Sequence, residues 1–129
     1  MPYIKVIAMK KRKSISSEFT DKVRQKGLCD ERNAAFCATV VSLPKDTDTM
    51  VLLSVNGNEL LISKIYPNSV IGELLYKIQL CRAEQLTYKS SFLNQIFKFK
   101  YEGAVFSFTN YFDADEQLKV IASENKKSY

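Results

Sequence analysis

Two sets of basic residues have the types and spacing to bind something acidic. Lys10, Lys11, Arg12 and Lys13 are consecutive, and Lys98 and Lys100 alternate with aromatic residues in IFKFKY, residues 96–101. A contiguous basic run suits nuclear import or contact with nucleic acid, and it equally suits a solvated loop. On a strand, Lys98 and Lys100 would share one face, with Phe97, Phe99 and Tyr101 on the other. Acid–base and nucleophilic chemistry are poorly provided for. The chain has no histidine and therefore no imidazole for a general base, a triad or a metal site. Cys29, Cys37 and Cys81 lie far apart with no CxxC pair, which argues against structural zinc and for reduced thiols filling apolar space. Asp113, Asp115 and Glu116 form an acidic cluster without the calcium-loop pattern, and Asp46 and Asp48 read as turn chemistry. No catalytic, cofactor-binding or metal-binding residue is expected. Lys10, Lys11, Arg12, Lys13, Lys98 and Lys100 are the candidate partner-binding residues.

The elements that must carry these residues can be read from patterning. With 129 residues, 46% hydrophobic and 26% charged, the composition is that of an ordinary globular domain. No apolar run approaches the ~20 residues of a membrane helix, so no membrane partner is expected and a cytoplasmic or nuclear location is. The net charge of +5 is uneven. Residues 1–28 hold eight Lys/Arg against Glu18 and Asp21, a net +6, and the remaining eleven basic and twelve acidic residues give −1. The basic character thus belongs to the N-terminal segment.

Tyr3 to Met9 reads as a short strand. A short helix starts at Ser17, carries Phe19 and Val23 on one face, and stops at Gly27. A strand is expected at 36–43, followed by the turn Pro44-Lys45-Asp46-Thr47-Asp48. Strands at 49–55 and 59–66 flank Asn56-Gly57, the strongest short hairpin signal. Asn68 or Ser69 then caps a helix running to about Leu80, with Val70, Ile71, Leu74, Leu75 and Ile78 on one face. Residues 96–101 alternate strictly as a half-buried strand. Glu102-Gly103 turns the chain into Ala104–Phe108, and 118–122 makes a last strand. Val51, Leu53, Ile62, Leu74, Ile78, Phe99 and Val120 are expected in one core.

This order of elements, carried by IYPNSVIGELLYKIQ at 65–79 and FKYEGAVFSF at 99–108, resembles the ubiquitin-like β-grasp over roughly residues 49–123. Locally, Asn56-Gly57, SVIGELLYKI, FKYEGAVFSF and the closing SENKKSY are similar to doublecortin domains. That resemblance implies a mixed sheet with one main helix packed across it, and a partner such as tubulin or another cytoskeletal subunit. The expected fold class is α+β. A basic extension at 1–44, comprising a short strand and helix, precedes a β-grasp module at 45–125 and a basic tail at 126–129. The expected function is a non-enzymatic protein-interaction or adaptor module. The alternative is a small nuclear protein that contacts nucleic acid through its basic N-terminal segment.

Overall fold

The computed structural model describes residues 17–45, 49–90, 95–110 and 114–126. The helix α1 (Ser17–Gln25) precedes β1 (Ala35–Ser42), β2 (Met50–Asn56), β3 (Glu59–Tyr66), β4 (Val70–Gln79), β5 (Glu84–Ser90), β6 (Gln95–Tyr101) and β7 (Ala104–Asn110). A second helix, α2 (Asp115–Lys126), follows. The seven strands form one sheet in the order β4-β3-β2-β1-β7-β6-β5, with every neighbouring pair antiparallel. β1 is therefore the central strand. The sequence division at 44/45 falls between β1 and β2, which are hydrogen-bonded neighbours.

The β-grasp expectation is overturned. No helix crosses this sheet at 69–80; those residues form a turn, the edge strand β4 and the start of a second turn. Asn68 and Ser69 adopt left-handed φ values of 66° and 61° in the turn before β4, so neither caps a helix. The helical spacing of the apolar residues was produced by irregular pairing. Ile65 pairs with Ile71 and Ser63 with Leu74, then Ile62 with Tyr76, so extra residues accumulate on β4 and break its period of two. Leu74, expected in the core, is 45% exposed. Gly72 also fits a strand better than a helix. A Cβ there would stand 2.6 Å from Tyr66 Cε2 and 3.1 Å from Lys64 Cβ, so the Tyr66 ring lies over a position that only glycine leaves open.

The expected strand at 118–122 is likewise a helix. Leu-Lys-Val-Ile-Ala mimics alternation, yet Ala114, Leu118 and Ile121 enter the core at helical spacing. Asp115 and Glu116 sit in the first turn, where the helix dipole favours negative charge.

The strands β1, β2, β3, β6 and β7 and the hairpin turns at 57–58 and 102–103 follow their sequence signals, while the expected turn at 44–48 falls largely outside the described residues. Gly57 takes φ 62° in the two-residue loop between Asn56 and Glu59. Glu102 and Gly103 both take positive φ between Tyr101 and Ala104, the requirement of a type I′ hairpin. β2 is buried continuously from Val51 to Val55 because both of its faces are covered.

The sheet curls over its inner face. Tyr76 of β4 meets Phe106 of β7 edge-on at 5.2 Å between ring centroids, though three strands separate β4 from β7 in the sheet. The Tyr101 hydroxyl accepts from the Gln79 amide at 3.3 Å. Phe97, Phe99, Phe106 and Phe108 fill the space between, with Val51, Leu53, Ile62, Ile78, Leu118 and Ile121. Val120 packs on this cluster while partly buried.

Candidate functional site

The outer face of the sheet is divided in two. Residues that alternate with the inner core on β1 and β2, namely Ala35, Cys37 and Leu52, pack against Phe19 and Val23 of α1, and Ile65 and Ile71 border the contact. α1 is held there by its ending as well as by burial. The Gly27 amide bonds the Arg24 carbonyl, the Leu28 amide bonds the Val23 carbonyl, and Gly27 has φ 73°. This is a Schellman ending, with Leu28 and Val23 in one apolar cluster as the motif requires. Asn56 Nδ2 donates to the Gly27 carbonyl at 2.8 Å, fixing this end beside the β2–β3 turn. Beneath the helix, the Ser54 and Ser63 hydroxyls are buried with no hydrogen-bond partner among the described residues.

The other half of the outer face, over β7, β6 and β5, carries no described element. Its side chains follow from the register. Met50, Thr39, Thr109, Ile96 and Lys89 are successive cross-strand partners. Ser42, Ser107, Lys98 and Thr87 form the next row, and Val105, Lys100 and Glu84 the one after. Phe97 and Phe99 point inward, so Ile96, Lys98 and Lys100 point out, as the alternation predicted. Lys89, Lys98 and Lys100 are exposed and make no ion pair with a described residue. Ile96 and Met50 are each 44% exposed, and Val41, at the irregularity in the β1–β7 pairing, is 62% exposed. Bare of any described element, though with Ser107 buried within it, this half combines three lysines with apolar side chains along one border. The expected aromatic neighbours of Lys98 and Lys100 are not part of this surface, because the phenylalanines are core.

The remaining candidates fall elsewhere. Lys10, Lys11, Arg12 and Lys13 lie outside the described residues, as do Asp46, Asp48 and Asp113. Residues 1–16 hold five Lys/Arg and no Asp or Glu, and they join α1 at the end away from Gly27. Asp115 and Glu116 belong to α2, where Glu116 pairs with Lys119 at 3.4 Å. Cys29 is buried, and Cys37 and Cys81 are partly so. Burial pushes the Cys29 and Cys37 thiols up, away from the reactive thiolate. Among the described residues, no group of His, Cys, Asp and Glu is placed to hold a metal ion, and no helix is long and apolar enough to cross a membrane.

Sequence reading missed a charged cluster at the opposite end of the strands. The Arg32 guanidinium donates to both carboxylate oxygens of Asp30, to Glu124 Oε1 and to the Gly57 carbonyl. Asp30 also accepts the Gly57 amide at 2.9 Å. The Arg32 side chain and the Gly57 and Arg32 amides hold the Asp30 carboxyl down at about 2. Glu124 is almost wholly buried on α2. This cluster ties α2 to the chain before β1 and to the β2–β3 turn, and it is fully paired. Asn125 adds bonds from Nδ2 to the Leu80 and Ala83 carbonyls at 2.6 and 3.0 Å. The Asp30-Glu31-Arg32 spacing was the available signal, but its partner lies 92 residues away.

No family model matches the chain, and no curated protein does. Among solved structures, the inner membrane complex sub-compartment protein 3 (ISP3) of Toxoplasma gondii is similar at 17% identity and a TM-score of 0.48, over 90% of each chain.

Proposed function

We propose that this chain is a non-catalytic protein-interaction module whose binding surface is the bare half of its outer sheet face. The observation that carries this reading is the pairing of Lys98 and Lys100, exposed and without an ion pair among the described residues, with exposed Ile96 on a face whose other half is already covered by a helix. Lysines left unpaired around an apolar border suit a partner of opposite charge: charge steers encounter and apolar contact supplies affinity. The missing histidine and the raised thiols favour binding over turnover. A cytoskeletal partner with an acidic surface, such as tubulin, falls within this reading.

A photo-crosslinking residue at position 96, in cells, tests it. A protein adduct is expected there, absent when the crosslinker replaces Glu31 at the far end of the strands, and lost in the Lys98→Glu/Lys100→Glu variant. Equal adducts from both positions, or none, would remove the reading. The alternative, nucleic acid bound through the basic N-terminal segment, predicts a nuclease-sensitive adduct. It also predicts an affinity that falls steeply with salt and depends on Lys10, Lys11, Arg12 and Lys13.

A further inference from the structure

We infer that the partner segment taken by this face is an acidic amphipathic helix lying beside α1. The inference rests on the proposed binding module and adds the partner's chemistry.

The geometry favours a helix. α1 occupies the outer face from β1 to the border of β3 and β4. From β1, the strands β7, β6 and β5 extend three spacings, roughly 14 Å at ~4.8 Å each. A helix with its side chains is ~10 Å across, and packed helices lie ~8–10 Å apart. Ser107 of β7 is itself buried, so the open width among the described residues lies over β6 and β5; it has room for one helix on the side of the sheet that already receives α1. Two apolar side chains four residues apart, Phe19 and Val23, hold α1 there. Ile96, Val41 and Met50 offer the neighbouring apolar border.

Charge selects the occupant. Lys98 and Lys100 stand two residues apart on one face of a strand, ~7 Å. Carboxylates at i and i+4 of a helix are ~6 Å apart along its axis, so a helix running with β6 can meet both lysines at once. The face holds Lys89, Lys98 and Lys100 against Glu84. A second copy docked through the same patch would bring three lysines and one glutamate against the same set, a net repulsion, since a two-fold contact uses the same patch on both sides. The chain's own residues 1–16 hold five Lys/Arg and no acid, so charge does not select them as the occupant.

The test pans the immobilised full-length protein against two displayed peptide libraries. Both carry apolar residues at i, i+3, i+4 and i+7, with the flanking positions randomised between Glu and Lys; one has a central proline that prevents a helix. Enrichment of Glu-rich members of the helical library alone is expected. Their binding should weaken roughly tenfold or more in Lys98→Glu/Lys100→Glu, persist in Lys98→Arg/Lys100→Arg, and be unchanged by Lys77→Glu on the far edge. Thermal melts of the variants confirm that they fold. Enrichment of Lys-rich clones, equal enrichment of the proline library, or insensitivity to the Lys98/Lys100 charge reversal overturns the inference. So does self-association abolished by the same reversal, or tighter binding of a mixed-sequence single-stranded DNA than of any clone. If the position-96 adduct forms while the panning fails, the module stands and its acidic helical partner does not. If both fail, both readings fall.

Discussion

Asp30 and Arg32 show how much two neighbouring side chains can organise. Asp30 is held at about 2 by the Arg32 guanidinium and by the Gly57 and Arg32 amides. A carboxyl depressed in the folded state stabilises it above the unfolded pKa, and that contribution disappears as pH falls toward the folded value. From its ordinary value of 3.8 to about 2, the Asp30 contribution is about 2 kcal/mol, lost between roughly pH 5 and 2. Asp30→Asn is expected to lower stability at neutral pH by about that amount and to flatten its decline over the same window, read by denaturant titrations across pH. An equally steep acid limb in the variant would assign the acid sensitivity elsewhere. Gly72 offers a second local test. Gly72→Ala must displace the Tyr66 ring and is expected to cost about 1–2 kcal/mol, less in a Tyr66→Ala background, because the clash is with that ring. Additive costs in the double-mutant cycle would place the strain in the backbone.

Among the elements, α2, β4 and β5, a strand where residues 82–94 read as polar and turn-like, depart from the sequence pattern, and the first two make opposite predictions. Leu118 is buried under α2, so Leu118→Ala should cost about 2–5 kcal/mol. Leu74 is exposed on β4, so Leu74→Ala should stay within about 0.5 kcal/mol. Chemical denaturation of both variants separates this fold from a β-grasp, which needs Leu74 inside. The hairpins at Asn56–Glu59 and Tyr101–Ala104 were legible because glycine and positive φ are local requirements. The outward pairing of Lys98 and Lys100 was legible because strict alternation survives on β6. β4 was misread because its extra residues shift the apolar pattern toward a helical period, and only Gly72 spoke against a helix. The bare half-face was not legible, because it depends on where α1 docks and on β1 pairing with β7.

For the molecule as a whole, α2 and the curled sheet close the same core from different sides. The Arg32–Glu124 pair and the Asn125 bonds fasten α2 to both the start of β1 and the corner between β4 and β5. Glu124→Ala should leave Arg32 with its Asp30 contacts but release α2. Amide exchange in α2 is therefore expected to quicken well before that of β2 and β3. Uniform acceleration across the sheet would mean that α2 and the strands open as one unit.

The central place of β1 also bears on how the chain is made. Thr39 pairs with Met50, eleven residues away, and with Thr109, seventy residues away. During synthesis the β1–β4 meander can assemble early, but the second edge of β1 has no partner until β7 has left the ribosome. Until then Phe36, Ala38 and Leu53 face a half-built interior that lacks Phe97, Phe99, Phe106 and Phe108. Such an intermediate presents an unpaired strand edge and uncovered apolar surface, the combination that draws chaperones and seeds aggregation. A nascent chain stalled at Ser90 should be captured by holdase chaperones and cut readily by protease. One released after Lys126 should resist both.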